Sequence, residues 1–532
     1  MPVEENLATL SYARGPSRPL HELTIGDLLH RSAHHFPDRL AVASCHQGKR
    51  LTWAQLSAEA DRVARGLWSL GIRRGDRVGL WSTNCIEWIV MHMGCARAGA
   101  ALVNVNPAYR SHELQFTLQR SRMKALFLWH KDRHADYEDI LARARHGFDH
   151  ELQHVIYFDS PEWPALLDAE GRLPDFVDNQ DVANIQYTSG TTGMPKGCIH
   201  THRTLMPNVI GGSLWGSASA ESVSLGVVPM FHITGMLYGV LAPVYGGGTV
   251  VVMPRWDREL AGRLISRHHV SHFTCIPTMI IDLFGSPNYK SFDLSSLRYL
   301  SGGGAAMPQA VAARLQTEFG LTFAEGYGLT ETAAPSHANP PERAKLQCLG
   351  IPIFGVDSRI IDPVTLAELP AGEVGEIVTH GPMVFKGYWG HPEATKAAFV
   401  EIDGKAFFRT GDLGRRDDEG YFFITDRLKR MINASGYKVW PSEVELLLFA
   451  CPAVQEACII SARDAYRGET VKAVVVLRDA ARGQTTEQDI IDWAREHMAA
   501  YKVPRIVQFV DALPKSGSGK VMWRQLQEQE PA

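Results

Sequence analysis

The feature that most constrains this chain is a repeated change of hydrophobic period in its first part. Thr52 is placed to cap a helix in which Leu56, Ala60, Val63, Leu67 and Leu70 step by four and three, and Gly71 stops it. A short apolar run, Arg77–Trp81, follows; then comes a helical pattern from about Glu87 and a second run, Ala101–Val105. Strands apolar on both faces must be covered on both faces, and the helices between them are the crossovers that parallel pairing needs. The chain is therefore expected to be α/β, with parallel-rich sheets covered by helices.

The same pattern continues through strand candidates at 224–229, 248–253 and 272–276. Around 351–380 it changes to short strands and turns such as P-A-G-E-V-G-E, which predicts a β-rich subregion. A charged connection, D-R-L-K-R at 426–430, precedes about a hundred residues with a pattern of their own. There Ser442 with Glu445 reads as a capping box, 457–461 and 471–477 as strands, and Thr486 with Asp489 as a helix start. At 532 residues the chain is too long for one core. The expected division is a large domain over 1–425, a connection at 426–430 and a small α+β domain over 431–532.

A formal charge of -4 leaves no basic excess for nucleic acid. The eight cysteines show no C-x-x-C spacing, so free thiols in a reducing, cytoplasmic setting are expected rather than structural zinc. The N-terminus M-P-V-E-E-N-L lacks the basic and apolar regions of a signal peptide. The apolar run over 88–105 is interrupted by His92 and Arg97 and falls short of a membrane span.

Residues 187–197 read Y-T-S-G-T-T-G-M-P-K-G. Glycines let main-chain N–H groups turn toward an anion, and four hydroxyls with one lysine complete a phosphate cradle. The stretch does not fit G-x-x-x-x-G-K-[ST], because Met194 and Pro195 separate Gly193 from Lys196 and Gly197 follows the lysine. Taken alone it reads equally well as a surface turn. Five other stretches carry chemistry: P-M-F-H-I-T-G at 229–235, S-G-G-G-A-A at 301–306, E-G-Y-G-L-T-E at 325–331, T-G-D at 410–412 and K-S-G-S-G-K at 515–520.

In this order the six stretches resemble the adenylate-forming superfamily of acyl-CoA synthetases, firefly luciferases and peptide-synthetase adenylation domains, over nearly the whole chain. The resemblance implies an AMP-forming acid-thiol ligase: a carboxylic acid attacks ATP, pyrophosphate leaves, and the acyl group passes from acyl-AMP to coenzyme A. It implies that Thr188, Ser189, Gly190, Thr191, Thr192, Gly193 and Lys196 hold the β- and γ-phosphates. Thr191 or Thr192 with Glu331 would sit near Mg²⁺, a hard cation that prefers oxygen. Gly303, Gly304 and Ala305 would line the base pocket, with Tyr327 stacked on adenine beside Glu325, Gly326, Gly328 and Thr330. Asp412 would bind the ribose and Arg427 the ribose or phosphate.

Lys520 matches the lysine that bridges the attacking carboxylate and the α-phosphate. An ammonium about 4 Å from a developing charge is worth roughly 4 kcal/mol at an effective dielectric near 20. The resemblance further implies that the C-terminal domain rotates about Lys429, withdrawing Lys520 and bringing in Ser435, Gly436, Tyr437 and Lys438 for CoA, with Lys502 as a weaker phosphate candidate. His232 joins Lys520, Glu331 and Thr191 in the catalytic set. Phe231, His232, Gly235, Met236, Gly328 and Leu329 would bound the acyl pocket. Relatives specialised for acetate resemble Y-W-x-T-E, so glycine at 328 is expected to leave room for a longer acid. S-G-Y-K-V-W-P-S-E-V-E, at 435–445, looks most like bacterial medium- and long-chain fatty acyl-CoA ligases. Aryl acids are the nearest alternative, and an amino-acid adenylating enzyme a more distant one. The partners implied are small molecules, and a homodimer is left open.

Overall fold

A computed structural model describes residues 10–17, 22–147, 150–188, 195–304, 307–427, 430, 432–434, 437–439, 441–464, 468–516 and 520–530. The chain forms two compact units. One comprises Ala13–Asp357 with Thr379–Phe408; the other comprises Met1–Tyr12, Ser358–Val378 and Arg409–Ala532.

The first unit is built on two sheets. In the six-stranded one the order is His154–Tyr157, Ala125–Leu128, Arg77–Trp81, Ala101–Val105, Val182–Thr188, Lys196–Thr201. All neighbours are parallel except the last two strands, which form an antiparallel hairpin. The second sheet has nine strands. Thr249–Val252, Val223–Gly226, His272–Cys275, Tyr299–Gly303 and Phe323–Leu329 run parallel at its centre, and antiparallel neighbours close it toward Ala334–Ala338 and Ile351–Pro352.

The helix Trp53–Ser69 starts from a Thr52 and Gln55 capping box and buries Leu56, Ala60, Val63 and Leu67, the row read from the sequence. Ile86–Ala98 is buried almost all round, which explains its near-continuous apolar sequence. Among the described residues no helix is long and apolar enough to cross a membrane. All eight cysteines are free thiols.

In the second unit the strands passing through 358–361, 375–378 and 409–416 share one sheet, with Phe422–Arg427 antiparallel on the last. A five-stranded sheet of Tyr437–Val439, Ile432–Ala434, Gly468–Leu477, Val454–Asp464 and Ile506–Phe509 follows. Val444 and Leu448 of the helix Pro441–Leu448 and Ile490 of Glu487–His497 pack on it with Ile459, Val471 and Val475. This is the α+β pattern expected, and Thr486 caps its helix through Asp489 as read.

The Ser442 and Glu445 capping box is corrected. The helix begins at Pro441, so Ser442 lies inside it. The Ser442 amide donates instead to Asp426 Oδ2 at 2.7 Å, while the Glu445 carboxylate takes the Arg430 guanidinium and the Ile459 amide at 2.8 Å. Proline at the first helical position shifts the start forward, and a carboxylate from another strand supplies the cap.

Candidate active site

The phosphate-loop stretch joins the two antiparallel strands that end the six-stranded sheet, with Tyr187 opposite Gly197 and Thr188 opposite Lys196. Ser189, Gly190, Thr191, Thr192 and Gly193 lie outside the described residues. The hairpin therefore fixes the feet of the loop. Segment 385–389 of this unit runs along the far side of Lys196–Thr201. Lys386 N donates to Ile199 O at 2.9 Å, Ile199 N to Gly387 O at 3.0 Å and Trp389 N to Gly197 O at 2.8 Å.

That pairing places Tyr388 against Lys196, whose ammonium lies 5.0 Å from the centre of the phenol ring. The Tyr388 hydroxyl donates to Glu331 Oε1 at 2.8 Å. Burial, together with the Glu331 carboxylate and the Cys198 thiol, pushes the phenol's pKa up, so it stays a donor. The backbone on either side of the Glu331 side chain is also held. His200 Nε2 lies 2.7 Å from Thr330 O, and Phe385 N donates to Glu331 O at 2.8 Å. Burial pulls the His200 imidazole down to about 4. A neutral ring must have the Nε2 proton to make that bond, which leaves Nδ1 facing the Thr204 hydroxyl at 3.3 Å.

The turn at 229–236 is organised by two buried amides that the sequence reading passed over. Asn84 Nδ2 lies 3.1 to 3.3 Å from the carbonyls of Gly226, Val227, Val228 and Met253, and its Oδ1 accepts Met230 N at 2.8 Å. Gln186, on the strand leading into the phosphate loop, donates to Phe231 O at 2.7 Å. His232 then caps the helix Ile233–Met236 by accepting Thr234 N on Nδ1 at 3.3 Å. Ile233, Gly235 and Met236 are buried, and Phe231 and Leu329 are half-buried. Amides that read as ordinary strand-end residues thus tie the acyl-pocket candidates to the phosphate strand.

Glycine-rich stretches meet on neighbouring parallel strands, where Gly302 faces Glu325 and Gly303 faces Gly326. A Cβ on Gly303 would lie 2.1 Å from Gly326 O, so close strand approach requires that glycine. Glu325 and Tyr327 share the other face of their strand. The Glu325 carboxylate accepts Met307 N at 3.1 Å and Gln347 N at 3.4 Å, and burial pushes it up to about 7. The contacts of Glu325 are thus to the two turns beside the glycine stretch. Tyr327 faces His337 across the antiparallel pair, with ring centres 5.7 Å apart. Ala305 lies outside the described residues.

Gly328 lies at a close approach of two strands. A Cβ there would stand 1.8 Å from Ala334 O and 2.6 Å from Pro335 Cα. Its missing side chain makes room for a neighbouring strand, at a bulge in the pairing.

In the second unit Asp412 is buried and lies opposite Arg427 on the antiparallel pair. The T-G-D turn is braced by Glu376, which accepts Gly411 N at 3.1 Å and Arg409 Nη2 at 2.6 Å. The Thr410 hydroxyl donates to Ile377 O at 2.7 Å. Glu376 carried no signal in the sequence beyond an ordinary strand position. Lys429, Ser435 and Gly436 lie outside the described residues, as do the side chains of Arg427, Tyr437 and Lys438. Lys502 is paired with Glu443; burial draws its ammonium down, and the bond and charge of Glu443 together with Tyr501 outweigh that and raise it. Lys520 is exposed, and its main chain meets Ser516, with Ser516 N donating to Lys520 O at 2.8 Å and Lys520 N to Ser516 Oγ at 3.2 Å.

Among the described residues no group of three or more His, Cys, Asp or Glu side chains is placed to hold a metal ion. Glu331 nevertheless offers the hard carboxylate oxygen that Mg²⁺ takes, and fits as one ligand beside hydroxyls and phosphate.

Comparison with known proteins accords with this layout. A model of the AMP-binding enzyme family matches residues 29–389, and a model of the AMP-binding enzyme C-terminal domain matches 443–520. A long-chain-fatty-acid–CoA ligase of Bacillus subtilis (strain 168) is 34% identical, with 96% of this chain and 95% of that protein covered. A feruloyl-CoA synthase of an Amycolatopsis species is 36% identical, with 91% and 94% covered. The crystal structure of ATP-bound MatB from Rhodopseudomonas palustris superposes with a TM-score of 0.85 at 29% identity, with 95% and 99% covered.

Proposed function

The chain belongs to the AMP-binding enzyme family, and from that premise we propose that it is an ATP-dependent acid:CoA ligase acting on a medium- or long-chain fatty acid. The observation that carries the reading is the meeting of Lys196, Tyr388 and Glu331 beside the phosphate-loop hairpin. A cation and a carboxylate each held by one tyrosine, at the end of a glycine and hydroxyl loop, are what a nucleotide polyphosphate and its metal require. Lys196 binds the pyrophosphate end of ATP. Glu331, with Thr191 or Thr192, would hold Mg²⁺, which when bound neutralises phosphate charge.

Asp412 takes the ribose hydroxyls and Tyr327 the adenine. Lys520 stabilises the charge that develops as the acid's carboxylate reaches the α-phosphate. Rotation about Lys429 then replaces Lys520 by the 433–438 segment, and the thiol of CoA displaces AMP from the acyl carbon. The free thiols suit a reducing, cytoplasmic setting.

The test is CoA-dependent AMP formation across acetate to palmitate, benzoate and a cinnamate. Each buried methylene adds about 0.8 kcal/mol, so rate per unit of acid should climb steeply with chain length from acetate. AMP formation from amino acids without CoA would overturn the ligase reading. An aryl acid as best substrate would favour the second reading, which the likeness to a feruloyl-CoA synthase supports.

A further inference from the structure

The residue that joins the two charged groups of the phosphate site is Tyr388, and no chemistry has been assigned to it above. Its position is over-determined. Its backbone bridges to Cys198, and its amide donates to Thr395 Oγ1 at 2.9 Å. Its ring stands edge-on to Phe385 with centres 4.9 Å apart. From this fixed base the two ends of one side chain reach two groups 135 positions apart in sequence, the ring face toward Lys196 and the hydroxyl toward Glu331 Oε1.

We propose that Tyr388 is a positioning residue for ATP and Mg²⁺ binding: its hydroxyl orients the Glu331 carboxylate toward the metal, and its ring supports the Lys196 ammonium facing the phosphates. The inference rests on the reading of Glu331 as the carboxylate nearest the metal. A carboxylate turns freely about its last bonds, and a hydrogen bond to one oxygen fixes the plane in which the other is offered. The ring contributes differently. Its face attracts the ammonium without neutralising it, so the full positive charge still meets the phosphates. A carboxylate held directly against Lys196 would spend that charge; the phenol between them keeps lysine and glutamate apart as separate tools.

Equilibrium ATP binding by calorimetry, measured without metal and across a Mg²⁺ titration, tests this on the intact chain. Tyr388→Phe keeps the ring and the Phe385 contact and removes only the hydroxyl. It should raise the Mg²⁺ concentration for half-maximal enhancement of ATP binding by about 10- to 100-fold, the usual cost of losing an outer partner of a metal ligand. Its metal-free ATP affinity should equal that of the wild type. Tyr388→Leu removes the ring as well and should also weaken metal-free binding, by about two- to fivefold. A purely structural tyrosine would move both quantities together, or neither.

If Tyr388→Phe titrates with Mg²⁺ like the wild type while Glu331→Gln does not, the proposed role of Tyr388 falls and that of Glu331 stands. If Glu331→Gln also titrates like the wild type, the reading of Glu331 fails, and this inference with it. Because Tyr388→Phe preserves the packing, poor folding of Tyr388→Leu would not remove the test.

Discussion

Lys196 and Lys520 both follow glycine-rich loops, yet the chain treats them in opposite ways. Lys196 opens a strand in the first unit and lies against a half-buried tyrosine that is itself pinned to Glu331. Lys520 is exposed in the second unit, joined to Ser516 by two hydrogen bonds. A cation whose neighbours are fixed costs no reorganisation when its anion arrives. Under the proposed reaction, an exposed lysine of the second unit acts where that unit is carried. The difference fits a reaction in which one charge stays and the other comes and goes.

The largest effect should come from breaking the anchor of the second unit. Arg430 is held by both oxygens of Glu445 and by Ile459 O, with its side chain 12% exposed. Arg430→Ala leaves Glu445 buried beside Asp426 and should cost this unit about 3–5 kcal/mol. Denaturant unfolding followed by limited proteolysis should show 409–532 lost first and the first unit unchanged. Simultaneous loss of both would mean that the two units unfold as one.

Next is Lys520→Ala. Acid-dependent pyrophosphate release should fall by about 10²- to 10³-fold, typical for one electrostatic donor. CoA thioester formation from a preformed acyl-adenylate should persist. Equal loss of both half-reactions would erase the contrast between a resident and a travelling lysine.

The smallest effect per group is on stability in acid. His92, His200, His202 and His337 are buried in the first unit, and burial pulls their imidazoles down to about 3, 4, 4 and 3. Unfolded imidazoles protonate near pH 6.5, so the stability due to neutral burial is complete above that pH. It declines as pH falls toward 4, by up to about 1.4 kcal/mol per unit for each histidine. The second unit has one histidine, His497, and it is exposed. Calorimetric scans from pH 7 to pH 5 should therefore lower the melting of the first unit and leave the second nearly still; parallel shifts would contradict this.

The strands Arg77–Trp81 and Ala101–Val105 were legible because an apolar run between capped helices has one stable use. Lys196, Glu331 and Asp412 could be proposed from the sequence because charges embedded in glycine and threonine stretches stand out against an apolar background. Asn84, Gln186, Glu376 and Tyr388 were not. Each is a single polar residue in an ordinary strand, turn or loop context, and its meaning lies in partners brought up by tertiary packing, such as Glu331 for Tyr388. The start of the Pro441–Leu448 helix was missed for the same reason, since its cap comes from Asp426, fifteen positions earlier.

Gly328 has a consequence for redesign. The substitution that family resemblance most invites, tryptophan for this glycine to shorten the acid, would drive a side chain into the Ala334 and Pro335 backbone. A side chain at 328 therefore requires the 334–335 backbone to move. In the proposed acyl pocket, Phe231 and Leu329, whose side chains are half-buried, are the positions a library aimed at chain length would vary.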